Sequence, residues 1–175
     1  REATFDGRPA LSTGGSSSGT GTAASFWVAN VGTETSGSIL SPANANRLAA
    51  VKPTVGRISR HGIIPITADQ DTAGPMARSV TDAAILLGVL EGAAPDPKDP
   101  ATSRCAREID YTKYLDRGAL RGARIGIPRA YFYDAAKAPG SEEPQGGLDA
   151  PHAAAMAAAI AVLKREGAVV VDPAD

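Results

Sequence analysis

The sequence predicts an α/β fold, and two stretches carry that expectation. Toward the C-terminus, residues 124–127 read as a short strand, 149–166 as a helix stopped by Gly167, and 168–171 as a second strand. Strand, helix and strand in that order form a βαβ crossover with parallel strands. Nearer the middle, residues 81–90 read as a helix. Ser79 caps it, Asp82 three residues later completes a capping box, and Gly92 ends it. Ile85, Leu86, Val89 and Leu90 fall on one face of that helix.

The other elements are read in order. Residues 14–22 (GGSSSGTGT) form a Gly/Ser/Thr loop, and 23–29 (AASFWVA) a short buried helix with Phe26 and Trp27 in the core. Residues 32–38 (GTETSGS) form a second small-residue loop, and Pro42 limits any helix before Ala43. Residues 49–51 and 63–66 are short apolar runs bounded by Pro and Gly, read as strands or strand-like turns. A polar, Pro-rich connection (93–104) is expected to run over the surface, and 128–148 is a long loop rich in Gly, Pro and Glu. No repeat of fixed period is present.

Composition excludes several classes. A chain of 175 residues with 43% hydrophobic content can bury a core. Eighteen basic residues, dispersed, against nineteen acidic ones give a net charge of −1, which predicts neither a nucleic-acid partner nor a membrane surface. No apolar run reaches the ~20 residues that span a bilayer. The single cysteine, Cys105, excludes an internal disulfide and fits a reducing compartment such as the cytoplasm. Cys105 lies in a polar loop, and the two histidines, His61 and His152, are far apart, so neither a thiolate nor a zinc site is expected. Arg1 in place of Met, and an apolar run close to Asp175, read as a piece of a longer chain.

Hydroxyls and glycines concentrate in the loops at 14–22 and 32–38. Glycines beside a serine let backbone N–H groups converge on one point, as an oxyanion site requires. A serine also needs a proton acceptor. Neither histidine lies in a Gly/Ser setting, which favours a Ser–Ser–Lys arrangement over Ser–His–Asp. The string GSSSG satisfies a nucleophile elbow centred on Ser17, but ALSTG before it makes a poor buried strand. A phosphate loop would need GK[ST] or GxGxxG, and neither occurs.

The ordered segments GGSSSGTGTAA, GTETSGSILSPAN, VKPTVGRISRHGIIPI and DQDTAGPMARSVTDAAILLG resemble the amidase signature family, and within it the bacterial peptide amidases. The likeness is strong over residues 14–92 and looser to 171. It implies the central part of a single domain, truncated at both ends, with a mixed β-sheet covered by helices on both faces. Ser38 matches the nucleophile, and Ser16 the relay serine preceded by a cis peptide bond, with its Oγ ~2.6–3.2 Å from that of Ser38. The N–H groups of Thr35, Ser36, Gly37 and Ser38 match the oxyanion hole. Asp71, Thr72 and Arg78 match polar positions read as structural braces.

The implied activity is hydrolysis of a carboxamide, a small-molecule or peptide amide, with no metal or cofactor. C-terminal peptide amides are the nearest substrate class, and a glutamine-amidase subunit of a transamidation complex is the rival within the family. Two departures stand out. The family's catalytic lysine lies upstream of the Gly/Ser loop, and the first lysine here is Lys52, which matches a different family position. Lys98, Lys113, Lys137 and Lys164 lie in unrelated settings, so a non-catalytic fragment or scaffold is the competing class. The spacing from Ser16 to Ser38 is also slightly shorter than the family pattern, with the shortfall within residues 20–31.

Overall fold

The computed structural model describes residues 14–174. They fall into two compact units that divide between Leu115 and Asp116.

In the first unit, strands β1 (Ala29–Glu34), β2 (Ala49–Ala50) and β3 (Thr72–Ala77) form an antiparallel sheet in the order β1-β3-β2. Ala29 and Ala49 both lie opposite Ala77, and Glu34 lies opposite Thr72. All six residues of β3 are buried. Successive side chains of a strand face opposite ways, and β3 feeds two cores accordingly. Met76 packs with Ile39 and Ala43, the latter on helix α2 (Leu40–Ala45). Ala73 packs with Ile58 and with Leu87 of helix α3 (Val80–Glu91). Helices thus cover both faces of the sheet. Helix α3 is capped as read: Ser79 Oγ accepts from the Asp82 N–H at 3.1 Å, and Gly92 ends it.

Several local expectations are corrected. The helix expected at 23–29 is the single turn α1 (Thr20–Ala23), and Phe26, Trp27 and Val28 are exposed. Its end is a Schellman motif: Phe26 N–H donates to Gly21 O (2.9 Å), Ser25 N–H to Thr22 O (3.2 Å), and Ser25 takes a φ of 65°. That closure turns the aromatics outward, with the Trp27 ring lying against Gly21. The loop expected to begin at Gly32 begins at Thr35, because Gly32–Glu34 pair with β3. Pro42 sits in the first turn of α2, where a missing N–H costs nothing. Residues 63–66 form neither strand nor turn but irregular backbone with a bend at Ile66, and Ile64 and Ile66 are exposed. On α3 the buried face is Ala83, Ala84 and Leu87, with Gly88 against the backbone of Ile109, whereas Ile85 and Val89 are exposed. The 93–104 connection is partly internal, since Asp99, Ala101 and Thr102 are buried around a 3-10 turn, Pro100–Arg104.

The second unit holds the predicted crossover. Strand β4 (Arg124–Gly126) and strand β7 (Val169–Val171) pair in parallel, Arg124 opposite Val169, joined through helix α4 (Ala150–Arg165). Asp149 caps α4 by accepting from the His152 N–H at 2.9 Å. In the stretch read as a loop, β5 (Ala136–Lys137) and β6 (Pro144–Gln145) add a short antiparallel pair. Among the described residues no helix is long and apolar enough to cross a membrane.

Candidate active site

Strand β1 ends at Glu34, and the chain turns through residues 35–38 into α2, with Gly37 at a φ of 102°. Two buried carboxylates hold this turn. Glu34 Oε2 accepts from the N–H groups of Ile39 (2.7 Å) and Leu40 (2.8 Å), the donors a helix start leaves without partners. Burial pushes the Glu34 carboxyl up. The backbone donors at Leu40, Gly37 and Ile39, aided by the Lys52 charge, outweigh it and hold the group below the usual glutamate range.

On the other side, Thr35 follows the last paired residue of β1 and meets Asp71, which precedes β3. The Thr35 hydroxyl donates to Asp71 Oδ1, and Asp71 Oδ2 accepts from the N–H groups of Ile66 and Thr67. The Thr35 hydroxyl is the chief cause that lowers the Asp71 pKa. Burial opposes it, and the two backbone donors and the Arg60 charge reinforce it. Between these anchors, the N–H groups of Thr35, Ser36 and Ser38 have no acceptor among the described residues. Ser38 is half-buried.

The Gly/Ser loop packs against this turn. Ser17 N–H donates to Ser38 O at 3.3 Å. Ser17 Oγ donates to Thr33 O and accepts from Thr33 N–H, both at 3.0 Å, so it occupies the outer edge of β1 as a strand would. Gly15 has a φ of 63°, and a Cβ there would lie 2.7 Å from Ser38 Cα. Only glycine permits both that backbone and that approach.

Polar bridges fix the segment beyond β2. Asp99 takes the Arg60 guanidinium on both oxygens, at 2.9 and 2.8 Å, and accepts from the Arg60 N–H; this pairing holds its carboxyl well below the usual range. Buried Glu91 receives Arg57 at 3.0 Å and the Tyr111 hydroxyl. Among the described residues no His, Cys, Asp and Glu side chains gather as a metal site.

The structure therefore brings the two loops together, with Ser38 and the Thr35–Ser38 donors in one turn. It departs from expectation at Ser16. Among the described residues the cis bond is Asp172–Pro173, and the Gly15–Ser16 bond is trans. Gly14 and Gly15, at φ values of 61° and 63°, make the turn without the ~3–4 kcal/mol of a non-proline cis bond. Ser16 is exposed, and no hydrogen bond links it to Ser38 among the described residues. Ser17, the elbow candidate, is committed to Thr33, and the strand an elbow needs would fall in residues outside the described ones. Asp71 acts as the brace it was read to be. The anchoring by Glu34 escaped the sequence, where its one signal is a carboxylate ending an otherwise uncharged strand.

An α/β fold in which two Gly/Ser turns meet beside one sheet fits the amidase-signature class. The model of the Amidase family matches residues 8–174. The chain belongs to that family. Among solved structures, it resembles an amidase family protein from Bacillus anthracis (38% identity, TM-score 0.76, covering 92% of this chain and 29% of that one). It is also similar to the native peptide amidase of Stenotrophomonas maltophilia (42% identity, TM-score 0.72, 88% and 29%). A glutamyl-tRNA(Gln) amidotransferase subunit from Trichlorobacter lovleyi is 44% identical over 161 residues, 91% of this chain and 30% of that protein. The chain thus spans 29–30% of the length of these relatives.

Proposed function

We propose that these residues form the nucleophile-bearing, central part of one amidase-signature domain in a serine amidohydrolase, with Ser38 as nucleophile. The observation that carries this reading is the turn at 35–38, whose N–H groups at Thr35, Ser36 and Ser38 have no acceptor among the described residues, beside a half-buried serine. Ser38 Oγ attacks the amide carbonyl carbon. The carbonyl oxygen gains negative charge and is received by the N–H groups of residues 35–38, the Gly37 N–H being shared with Glu34. Ser16 passes the Ser38 proton to a base and returns one to the leaving amine, which needs a closer approach of Ser16 than its exposed position gives. By resemblance the base is a lysine preceding residue 14, a stretch where this sequence has none.

The substrate class this reading favours is the C-terminal peptide amide, on the 42% identity with a peptide amidase. The 44% identity with an amidotransferase subunit supports a second reading, glutamine as ammonia donor in a transamidation complex. In the full-length enzyme carrying these residues, a fluorophosphonate probe is expected to label Ser38, and Ser38→Ala to abolish labelling and ammonia release. Labelling that persists in Ser38→Ala and vanishes in Ser17→Ala would overturn the assignment. Ammonia from peptide amides but not from free glutamine selects the first substrate class, and the reverse selects the second.

A further inference from the structure

Asp71 lies only 6% exposed at the junction of three segments: the end of β1, the start of β3 and residues 66–67. Its two oxygens take donors from two of them, the Thr35 hydroxyl on one and the Ile66 and Thr67 N–H groups on the other. Burying an anion is costly unless it is fully hydrogen-bonded, and three donors meet that requirement here. The Thr35 side chain ends on this carboxylate, while its backbone N–H is left without an acceptor among the described residues. Glu34 holds the far end of the same turn through Ile39 and Leu40. The peptide planes between the two anchors are therefore fixed at both ends.

We propose that Asp71 is a positioning residue for the Ser38 site, its carboxylate fixing Thr35 so that the oxyanion donors of the 35–38 turn stand in place before the substrate arrives. The inference rests on the reading of Ser38 given above. Donors stabilise a developing oxyanion only where they are held in advance, and removing one costs about 10²–10³ in rate. Loosening a donor rather than deleting it should cost somewhat less. Asp71 touches no reacting atom; it acts through Thr35.

The test uses the full-length enzyme, with kcat and KM on a peptide amide, the rate of Ser38 labelling by a fluorophosphonate, and the melting temperature. Asp71→Asn and Thr35→Val are each expected to lower kcat and the labelling rate by about 30-fold, with KM within about threefold. The double variant should be little worse than either single one, because both cut the same link. Thr35→Ser, which restores the hydroxyl, should recover at least about tenfold of the Thr35→Val loss. Wild-type kcat in both single variants overturns the inference, as does a double variant in which the two losses multiply. If Asp71→Asn does not fold, the Thr35→Val and Thr35→Ser pair decides alone, because among the described residues that side chain's hydrogen bond is to Asp71. Ser38→Ala separates the two claims: activity surviving it defeats the reading of Ser38, whereas activity lost in it but intact in the Thr35 and Asp71 variants defeats only this inference.

Discussion

The tightest constraint at the residue scale is the approach of Gly15 to Ser38. A methyl at residue 15 would meet Ser38 Cα at 2.7 Å and Pro42 Cδ at 2.9 Å, on a backbone with φ at 63°. Gly15→Ala therefore carries a collision in addition to the ~1–2 kcal/mol of a left-handed L-residue. It is expected to lower both the melting temperature and the rate of Ser38 labelling. Gly62 provides the comparison, with a φ of 83° and nothing within 4 Å of its Cβ position. Gly62→Ala should lose about 1–2 kcal/mol of stability and leave labelling intact. Equal effects of the two substitutions on labelling would mean that the contact with Ser38 does not matter. These site loops were legible in the sequence because they occur in order with other motifs that together resemble the amidase signature family, since a Gly/Ser-rich loop alone is more often a flexible connector. The anchors were less so: Asp71 could be read as a brace but not as the partner of Thr35, since the β1–β3 register that joins them links residues 36 positions apart.

At the scale of elements, local signals served where they were strong. The α3 cap is one, with Ser79 Oγ donating to Asp82 Oδ2 at 2.7 Å while accepting from the Asp82 N–H. Ser79→Ala should cost about 1 kcal/mol, seen as a lower urea midpoint at unchanged m-value. A changed m-value would point instead to altered compactness. The βαβ series was legible for the same reason, with the all-valine strand β7 and a helix bounded by Asp149 and Gly167. Strand β3 was not, because TAGPMA combines glycine, proline and alanine, all poor strand formers. Its small residues instead let α3 pack close, with Leu87 against Ala73. Of the apolar stripe expected to face inward, Leu90 packs against that core while Ile85 and Val89 are turned out. Ile85 and Val89 line an open apolar groove of about 460 Å³ with Val28 and Val31.

On the scale of the whole molecule, folding is tied to pH through its buried and bridged acids, and the two limbs have opposite signs. Glu108 is held down to about 2, chiefly by the Lys113 side chain, from an ordinary value of 4.5. A lowered carboxyl stabilises the fold fully above its unfolded value, and that contribution is lost as pH falls from about 4.5 to about 2. Glu34, Asp71 and Asp99 are lowered too, so their contributions are lost in the same direction. The alkaline limb belongs to Tyr111, pushed up to about 12 by burial first and by its hydrogen bond to Glu91 second, from an ordinary 10.0. A raised phenol stabilises the fold fully below its unfolded value, and this contribution is lost as pH rises from about 10 to about 12. Urea midpoints should therefore be level near neutrality and fall on both sides. Tyr111→Phe discriminates the cause of the alkaline fall. It removes a donor from buried Glu91, so it should cost about 1–3 kcal/mol at pH 7. It should also flatten the fall between about pH 10 and 12, because a phenylalanine has no proton to lose. An alkaline limb as steep in Tyr111→Phe as in the parent would assign that limb to other groups and remove Tyr111 from the account.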